Sequence, residues 1–269
     1  MRENKIGNNK NSHSHRALNK IGAELDFASS EAYNYLRINI SFSLPDKVGC
    51  KLIGVTSSSP AEGKSFTSVN LAYSLAKAGN KVLLIDGDLR KPSLGRMLNK
   101  KHVKGLSHYL AGTDHKVIQP GILTENLSVI FSGDTPPNPS ELIGSAKMHA
   151  ALNNLAKRYD YILVDLPPVN AVSDPLVVSK WLDGIIVVTR HKYTRTNDIM
   201  NSVRSLKYAG AHILGLVYNG YNSAEKAYKN HGGYYYYNSS YSYSTNTDEA
   251  ETNNWDDLIS PVAVEDDTN

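Results

Sequence analysis

Short apolar runs alternate with stretches of helical periodicity through most of the chain. The apolar runs predict strands over residues 51–57, 81–86, 127–131, 161–165, 184–189 and 212–218. The stretches between them predict helices over residues 65–78, 148–158, 174–182 and 197–209, with short helical pieces between 92 and 112 and from 140. Strands that alternate with helices are typical of an α/β fold, so we expect a doubly wound, mostly parallel sheet.

This periodic part spans residues 29–222, and the two ends of the chain differ from it. Residues 1–28 are polar and basic and predict a flexible arm. A helix is expected over 29–44, with Ser29 or Ser30 as its N-cap and Pro45 after its end. Residues 223–269 predict a flexible tail, first rich in tyrosine and then acidic. We therefore expect one folded domain between two tails.

Composition and charge narrow the choice of function only slightly. The net charge of +3 on 269 residues is too small to indicate nucleic-acid binding. The basic arm could be solvated or could lie against an anionic membrane surface. The one cysteine, Cys50, excludes an internal disulfide and is expected to be a buried or incidental thiol. Since no signal peptide or membrane-spanning run is visible, a cytoplasmic protein is expected unless a partner holds it at a membrane.

The loop between the first strand and the next helix is the clearest chemical signal. Residues 56–65 read Thr-Ser-Ser-Ser-Pro-Ala-Glu-Gly-Lys-Ser, which is the plan of a P-loop NTPase phosphate cradle with Ser58 where the usual pattern has glycine. Lys64 is expected at the outer phosphates and the Ser65 hydroxyl at Mg²⁺. The predicted nucleotide-binding residues are Ser59, Ala61, Glu62, Gly63, Lys64, Ser65 and Phe66.

Two further predicted strands end in carboxylates, at Asp86 with Asp88 and at Asp165. In a parallel sheet these acids fall on the same edge as the phosphate loop, where Mg²⁺ would find oxygen ligands. We predict Mg²⁺ ligands at Ser65, Asp86 and Asp165, and catalytic roles for Lys64, Asp86 and Asp88, since a second carboxylate could accept a proton. Any single one of these acids could instead be a turn or helix cap. Arg90 and Lys91 could bind phosphate, or Arg90 could pair with Asp88.

Tyrosines cluster in the C-terminal tail. A mobile row of hydroxyl groups between glycines and serines is suited to accept phosphate, although a sticky low-complexity segment is the simpler alternative. A phenol is a poor nucleophile near neutral pH, which would explain an added carboxylate at the site. The predicted phosphoacceptors are Tyr234, Tyr235, Tyr236, Tyr237, Tyr241 and Tyr243.

Together these features resemble the bacterial tyrosine kinases of capsule and exopolysaccharide synthesis, of the Gram-positive type. The resemblance rests on the phosphate loop, on the motif Leu-Ile-Asp-Gly-Asp-Leu-Arg-Lys-Pro at 84–92, on Ile-Leu-Val-Asp-Leu-Pro-Pro at 162–168, and on the tyrosine cluster. It implies an ATP- and Mg²⁺-dependent autokinase that phosphorylates its tyrosine tail between subunits. It also implies regulation of polysaccharide polymerisation and export.

The resemblance further implies two kinds of partner, besides other proteins that could serve as substrates. One is a transmembrane polysaccharide co-polymerase, whose cytoplasmic tail would activate the kinase and recruit it to the inner face of the membrane. The other is a second copy of the chain, in a ring that forms when the tail is unphosphorylated. The family's association motif, Glu-x-x-Arg-x-x-Arg, is met by Glu31 and Arg37 but has Asn34 at its first arginine. An ordinary amphipathic helix is the alternative for this segment.

Two other functions stay open from the sequence. The chain could be a nucleotide-switched ATPase of the ParA/MinD type without kinase activity. However, Ser59 stands where those proteins carry a signature lysine. It could also be a scaffold that binds nucleotide only to fold.

Overall fold

A seven-stranded sheet forms the centre of the computed structural model, which describes residues 20–100 and 102–221. The strands lie in the order β3-β4-β2-β5-β1-β6-β7. All neighbouring pairs are parallel except β3 with β4. The strands are β1 Lys51–Ser57, β2 Val82–Asp86, β3 Ile118–Gln119, β4 Leu127–Ile130, β5 Tyr161–Asp165, β6 Gly184–Arg190 and β7 Ile213–Asn219. The predicted doubly wound, mostly parallel α/β fold is confirmed.

The helices cover both faces of this sheet. Their bounds are α1 Phe27–Ser43, α2 Lys64–Lys77, α3 Leu94–Met97, α4 Leu106–Ala111, α5 Pro139–Ile143, α6 Ala146–Leu155, α7 Asp174–Ser179 and α8 Thr196–Tyr208. The two-residue strand β3 was not predicted, because it is too short to show an alternating pattern.

Alternation along the strands divides the core into two layers. Ile53 of β1 points into a cluster with Leu71 of α2, and the adjacent Leu52 points into a cluster on the other face with Leu152 of α6. This is the two-residue period of a strand buried on both sides. Helix α1 packs on the outer side of α2. The rigid sheet therefore presents the ends of β1, β2 and β5 side by side at one edge.

The N-terminal part of the fold begins earlier than predicted. Helix α1 starts at Phe27, and its N-cap is Asp26, whose side chain accepts a hydrogen bond from the Ser29 backbone N–H at 2.8 Å. A 3-10 turn at Gly22–Glu24 precedes it, and the Gly22 N–H donates to the Asn70 side chain of α2 at 2.8 Å. The predicted helix start at Ser29 was therefore wrong by two residues, and the turn before the helix contacts the fold through Ile21 and Gly22.

Helix length and thiol burial also bear on the sequence predictions. Of the helices in residues 20–221, apart from the undescribed position 101, none is both long and apolar enough to cross a bilayer. The Cys50 thiol is buried, and burial together with the nearby Asp183 carboxylate raises its pKa to about 12. An incidental buried thiol agrees with the sequence interpretation.

Candidate active site

The loop from β1 to α2 is shaped to receive an anion. Gly63 has φ +93° and Ala61 has φ +63°, and these left-handed residues turn the backbone back on itself just before the helix starts at Lys64. The backbone N–H groups of residues 61–66 find no acceptor elsewhere in the described chain. Phe66 lies half-buried in the first turn of α2. A row of unpaired amides at a helix start is the arrangement that binds phosphate.

Glu62 holds the loop rather than a ligand. Its side chain is fully buried and accepts hydrogen bonds from the Ser59 backbone N–H at 3.0 Å and from the Thr194 hydroxyl at 2.6 Å. The Asn219 amide donates to the Glu62 carbonyl at 2.9 Å. A Cβ added at Gly63 would lie 1.9 Å from the Asn219 amide nitrogen, so only glycine fits there. Of the predicted nucleotide-binding residues, Glu62 could thus contribute its backbone only.

Two further contacts tie the outer part of the loop to the end of β6 and to the segment after it. The Arg190 guanidinium donates to the Ala61 carbonyl at 3.0 Å, and the Tyr193 hydroxyl donates to the Pro60 carbonyl at 3.2 Å. The Arg190 guanidinium also lies 5.5 Å from the Tyr193 ring centroid. The loop is therefore held in place before any ligand arrives.

Serine at position 58 has its own structural explanation. Ser58 is fully buried, and its hydroxyl accepts a hydrogen bond from Ser202 of α8 at 2.8 Å. Its backbone is not in the left-handed region, so the fold does not require glycine there. The serine links the loop to α8.

The predicted site residues of three strand ends meet around Lys64. The Lys64 ammonium lies 3.1 Å from Asp88 Oδ2 and 3.5 Å from Asp165 Oδ2. The Ser65 hydroxyl donates to the same Asp165 oxygen at 2.5 Å. The Ser68 hydroxyl, one turn further along α2, lies 3.1 Å from Asp165 Oδ1. Lys64, Ser65, Asp88 and Asp165 therefore form one buried polar cluster.

Asp86 completes the cluster with fewer partners. It pairs with Asp165 in the β2–β5 register, and both residues are fully buried. Its Oδ2 accepts a hydrogen bond from the Leu94 backbone N–H at 3.3 Å, while its Oδ1 has no partner among the described residues. A buried carboxylate oxygen without a partner is costly, so such atoms often mark functional sites.

The electrostatics of the cluster follow from burial and close charges. Burial raises the pKa of Asp86 well above its ordinary value, and Asp165 and Asp88 add to this effect while Lys64 opposes it. Burial also raises the pKa of Asp165, against the effects of Lys64 and the two serine hydroxyls. Burial would lower the pKa of Lys64, but the carboxylates of Asp165 and Asp88 outweigh it and the pKa is raised. Lys64 therefore stays charged, and Asp86 is a stronger base than an exposed carboxylate.

These residues fit a magnesium nucleotide. The unpaired amides of the loop and the Lys64 ammonium match phosphate oxygens, and the free Oδ1 of Asp86 matches a water molecule bound to a metal ion. Residues 20–100 and 102–221 contain no group of three or more His, Cys, Asp or Glu side chains placed around one metal position. Mg²⁺ usually keeps several waters and takes further ligands from substrate phosphates, so a few protein oxygens suffice.

Arg90 pairs with Asp174 and not with Asp88. Its Nε donates to Asp174 Oδ2 at 3.0 Å, and its Nη2 donates to the Ser140 hydroxyl at 2.6 Å. Asp174, almost fully buried at the start of α7, thus holds this guanidinium beside the site. Asp88 instead accepts the Lys91 backbone N–H at 2.9 Å.

The predicted association residues lie on α1, away from the cluster. Glu31 accepts a hydrogen bond from the Asn34 amide at 2.9 Å, and the Asn34 carbonyl oxygen accepts one from Ser74 of α2 at 3.1 Å. The Arg37 Nε is buried and has no partner in the described part of the chain. Asn34 is therefore used within the subunit. The predicted phosphoacceptors, Tyr234 to Tyr243, lie outside the described residues.

Sequence reasoning missed several residues that hold the site. Ser68 could have been found, because it follows Ser65 by one helical turn and so shares its face. Asp174, Thr194 and Asn219 carried no such signal. Each lies far along the chain from its partner, and each stands in no recognisable motif.

Comparison with known proteins places this site in a family. The ParA family model, described as an NUBPL iron-transfer P-loop NTPase, matches residues 50–247. The tyrosine-protein kinase CpsD of Streptococcus pneumoniae serotype 4 is 40% identical over 195 residues, which cover 71% of this chain and 84% of that protein. The putative tyrosine-protein kinase CapB of Staphylococcus aureus is 36% identical over 209 residues, which cover 77% of this chain and 90% of CapB.

Solved structures give the same answer. The kinase domain of the Escherichia coli tyrosine kinase ETK matches with a TM-score of 0.69 and 33% identity, over 77% of this chain and 79% of that one. MinD of Pyrococcus horikoshii, solved with Mg-ADP, matches with a TM-score of 0.55 and 28% identity, over 64% of this chain and 71% of that one. The chain therefore belongs to the bacterial tyrosine-protein kinases of the CpsD/CapB type, within the P-loop NTPases.

Proposed function

We propose that the protein uses MgATP to phosphorylate the tail tyrosines of a neighbouring copy, at Tyr234, Tyr235, Tyr236, Tyr237, Tyr241 and Tyr243. The observation that carries this proposal is the unpartnered, buried Oδ1 of Asp86 beside Lys64, Asp88 and Asp165. A carboxylate with a raised pKa and a free oxygen is suited to accept the proton of an incoming phenol.

Each side chain of the cluster has a distinct proposed task. The loop amides and Lys64 would bind the phosphates and neutralise the charge that develops during transfer. Ser65, Asp86 and Asp165 would hold Mg²⁺, which when bound supplies charge neutralisation at the phosphates. Asp88 would keep Lys64 in position through their 3.1 Å contact. Asp86 would accept the tyrosine proton, after which the phenolate oxygen bonds to the transferred phosphorus and ADP leaves.

The proposal extends to partners and cellular role. A transmembrane polysaccharide co-polymerase would activate the kinase through its cytoplasmic tail and hold it at the inner face of the membrane, where it would regulate capsule polymerisation and export. Copies would assemble through α1, which carries Glu31 and Arg37 on the outer side of α2. Because Asn34 is already bonded to Ser74, this contact would depend on Glu31 and Arg37 without help from position 34.

The experiment is incubation of the full chain with MgATP, with and without the activator's cytoplasmic segment, followed by mass spectrometry. We expect phosphotyrosine within residues 234–243 and none when these six tyrosines are changed to phenylalanine. ATP hydrolysis that continues unchanged in the phenylalanine variant, with no phosphotyrosine formed by the unmodified chain, would instead support a nucleotide-switched ATPase.

A further inference from the structure

A groove lies beside the active site, between α3 with its following turn and the end of β4. It encloses about 300 Å³. Its walls include Arg96, Lys100 and His102 on one side and Phe131, Ser132 and Asp134 on the other. Arg96, Lys100 and His102 are all exposed. We call this surface the basic groove.

The cations of the basic groove meet no neutralising carboxylate in the part of the chain that the structure describes. Residues 89–113 contain no Asp or Glu. Neither Arg96 nor Lys100 has a carboxylate within 4 Å in residues 20–221, with position 101 left aside. The one carboxylate in the wall, Asp134, lies 3.3 Å from the ring of His108. The surface thus offers positive charge to a partner.

The basic groove is also connected to the proposed base. The Leu94 N–H at the start of α3 is the one hydrogen-bond donor to Asp86 among the described residues, at 3.3 Å. Arg96 follows two residues later on the same short helix. An occupant of the groove would therefore lie next to the place where a substrate tyrosine must arrive.

We propose that the basic groove binds the acidic end of the tail of a second copy, residues 248–267, and thereby delivers its tyrosines to the site. This segment carries eight carboxylates, and no Lys or Arg follows Lys229: the acids are Asp248, Glu249, Glu251, Asp256, Asp257, Glu265, Asp266 and Asp267. Opposite charge on two surfaces of one chain steers encounter and fixes register.

Chain length agrees with this arrangement. Tyr243 precedes Asp248 by five residues, which span at most about 17 Å when extended. With the first acids in the basic groove, Tyr243 would lie within that length of Arg96, which follows the Asp86-bound Leu94 by two residues on α3. The inference rests on the proposed tail phosphorylation and adds how the substrate is recognised: the kinase reads acids that follow the tyrosines.

A binding measurement tests the groove without any chemistry. The probe is a fluorescent peptide of residues 244–269, titrated into the full chain whose own eight tail carboxylates are changed to amides. We expect salt-sensitive binding that weakens at least tenfold in the double variant Arg96→Glu/Lys100→Glu. The matched control is Lys157→Glu/Arg158→Glu, which reverses two exposed cations between α6 and β5, before the strand begins.

Several outcomes would overturn the proposal. These are unchanged affinity in the groove variant, an equal loss in the control variant, or binding that persists in 0.5 M salt. Vesicles of anionic phospholipid provide a second comparison. If the groove variant loses affinity for vesicles but keeps affinity for the peptide, the surface binds membrane and the proposal fails. If the glutamate variant unfolds, Arg96→Gln/Lys100→Gln replaces it.

A kinetic measurement tests the consequence for catalysis. Two altered copies are mixed. The kinase copy has phenylalanine at its six tail tyrosines and amides at its tail acids, so that it can only phosphorylate. The substrate copy carries Asp86→Asn, so that it can only be phosphorylated. Charge reversal at Arg96 and Lys100 should raise KM about tenfold with kcat unchanged, and amides on the substrate's acids should do the same. The two changes together should raise KM no further, because they remove one interaction.

This design separates the two proposals. An unchanged KM contradicts docking in the groove even if tyrosines are phosphorylated. No phosphotyrosine from any pair, together with groove-dependent peptide binding, contradicts the proposed function and leaves the docking surface established.

Discussion

Strands β2 and β5 end side by side, and their last residues, Asp86 and Asp165, face each other in the register. Both carboxylates are fully buried. Asp165 lies within 3.5 Å of three side-chain donors, whereas Asp86 accepts one backbone N–H and keeps one oxygen free. The two carboxylates thus occupy equivalent positions in the sheet but differ in the number of hydrogen-bond donors around them.

The difference comes from α2, which follows the phosphate loop and leans over β5. Lys64, Ser65 and Ser68 all lie on its first turns and all turn toward Asp165. Asp86 meets only the Leu94 backbone N–H at the start of the short helix α3, because the chain after β2 first passes through the turn that holds Asp88. We infer that Asp165 organises the site and that Asp86 is available to react.

The largest expected effect is loss of chemistry on Asp86→Asn. If Asp86 accepts the tyrosine proton, kcat for tail phosphorylation should fall by about 10²–10⁴, because an amide cannot act as the base. Affinity for nucleotide in the absence of Mg²⁺ should stay within a few-fold, since Lys64 and the loop are unchanged. Phosphotyrosine formation and a fluorescent-nucleotide titration measure the two quantities. The control is Asp46→Asn, an exposed carboxylate before β1. A rate within threefold of the original would remove Asp86 as the base.

Asp165→Asn should mainly reduce stability. The change takes the anionic acceptor away from the Lys64 ammonium and from two hydroxyls inside the fold, which should cost about 3 kcal/mol of unfolding free energy. Urea denaturation of the nucleotide-free protein measures this, with the midpoint and the slope compared separately. A loss below about 1 kcal/mol would mean that Asp165 does not organise the cluster.

Asp86→Asn should have the opposite sign in the same assay, because it leaves no side-chain donor without an acceptor, whereas Asp165→Asn leaves three. The folded state raises the pKa of Asp86, so above the ordinary carboxyl pKa of about 4 the folded state binds this proton more tightly than the unfolded chain does. Stability therefore falls as pH rises, and the asparagine variant lacks this loss. We expect no difference near pH 4 and a gain on the order of 1–2 kcal/mol at pH 7. A variant less stable than the original at pH 7 would contradict the contrast between the two acids.

The smallest expected effect separates a bonded hydroxyl from an unbonded one. Ser68 lies against Asp165, whereas the Ser93 hydroxyl is buried with no partner in the described residues. Ser68→Ala should cost about 1 kcal/mol, and Ser93→Ala should be neutral or slightly stabilising. Equal losses in thermal unfolding would show that the hydrogen bond to Asp165 contributes nothing.

Much of the fold could be predicted because its signals are local. The bounds of β1 and β5 match their apolar runs, and the acids at the ends of β2 and β5 fall together because parallel strands end at one edge. The start of α1 was wrong because Ser29 and Ser30 are good caps by type, while Asp26 caps the helix in three dimensions. When several residues suited to cap a helix stand close together, the local sequence does not show which of them is the N-cap.

The supports of the site could not be predicted, because they are tertiary. Arg90 binds Asp174, a partner 84 positions away, and the Asn219 amide reaches Glu62 across 157 positions. No periodicity or spacing connects such pairs. The sequence contains the reactive groups as motifs, but the residues that hold them become visible only when the sheet is assembled.

The distant supports of the phosphate loop also constrain the order of folding. The loop follows β1 and is synthesised early. Its supports, Arg190, Thr194 and Asn219, lie more than 120 residues further along the chain and are synthesised later. Contacts of such high sequence separation form late, since a long loop must close first. A nascent chain that has emerged only as far as α7 therefore carries the complete loop sequence without its supports. Firm nucleotide binding is expected only after β7 has joined the sheet, so ATP would act as a ligand that stabilises nearly finished chains.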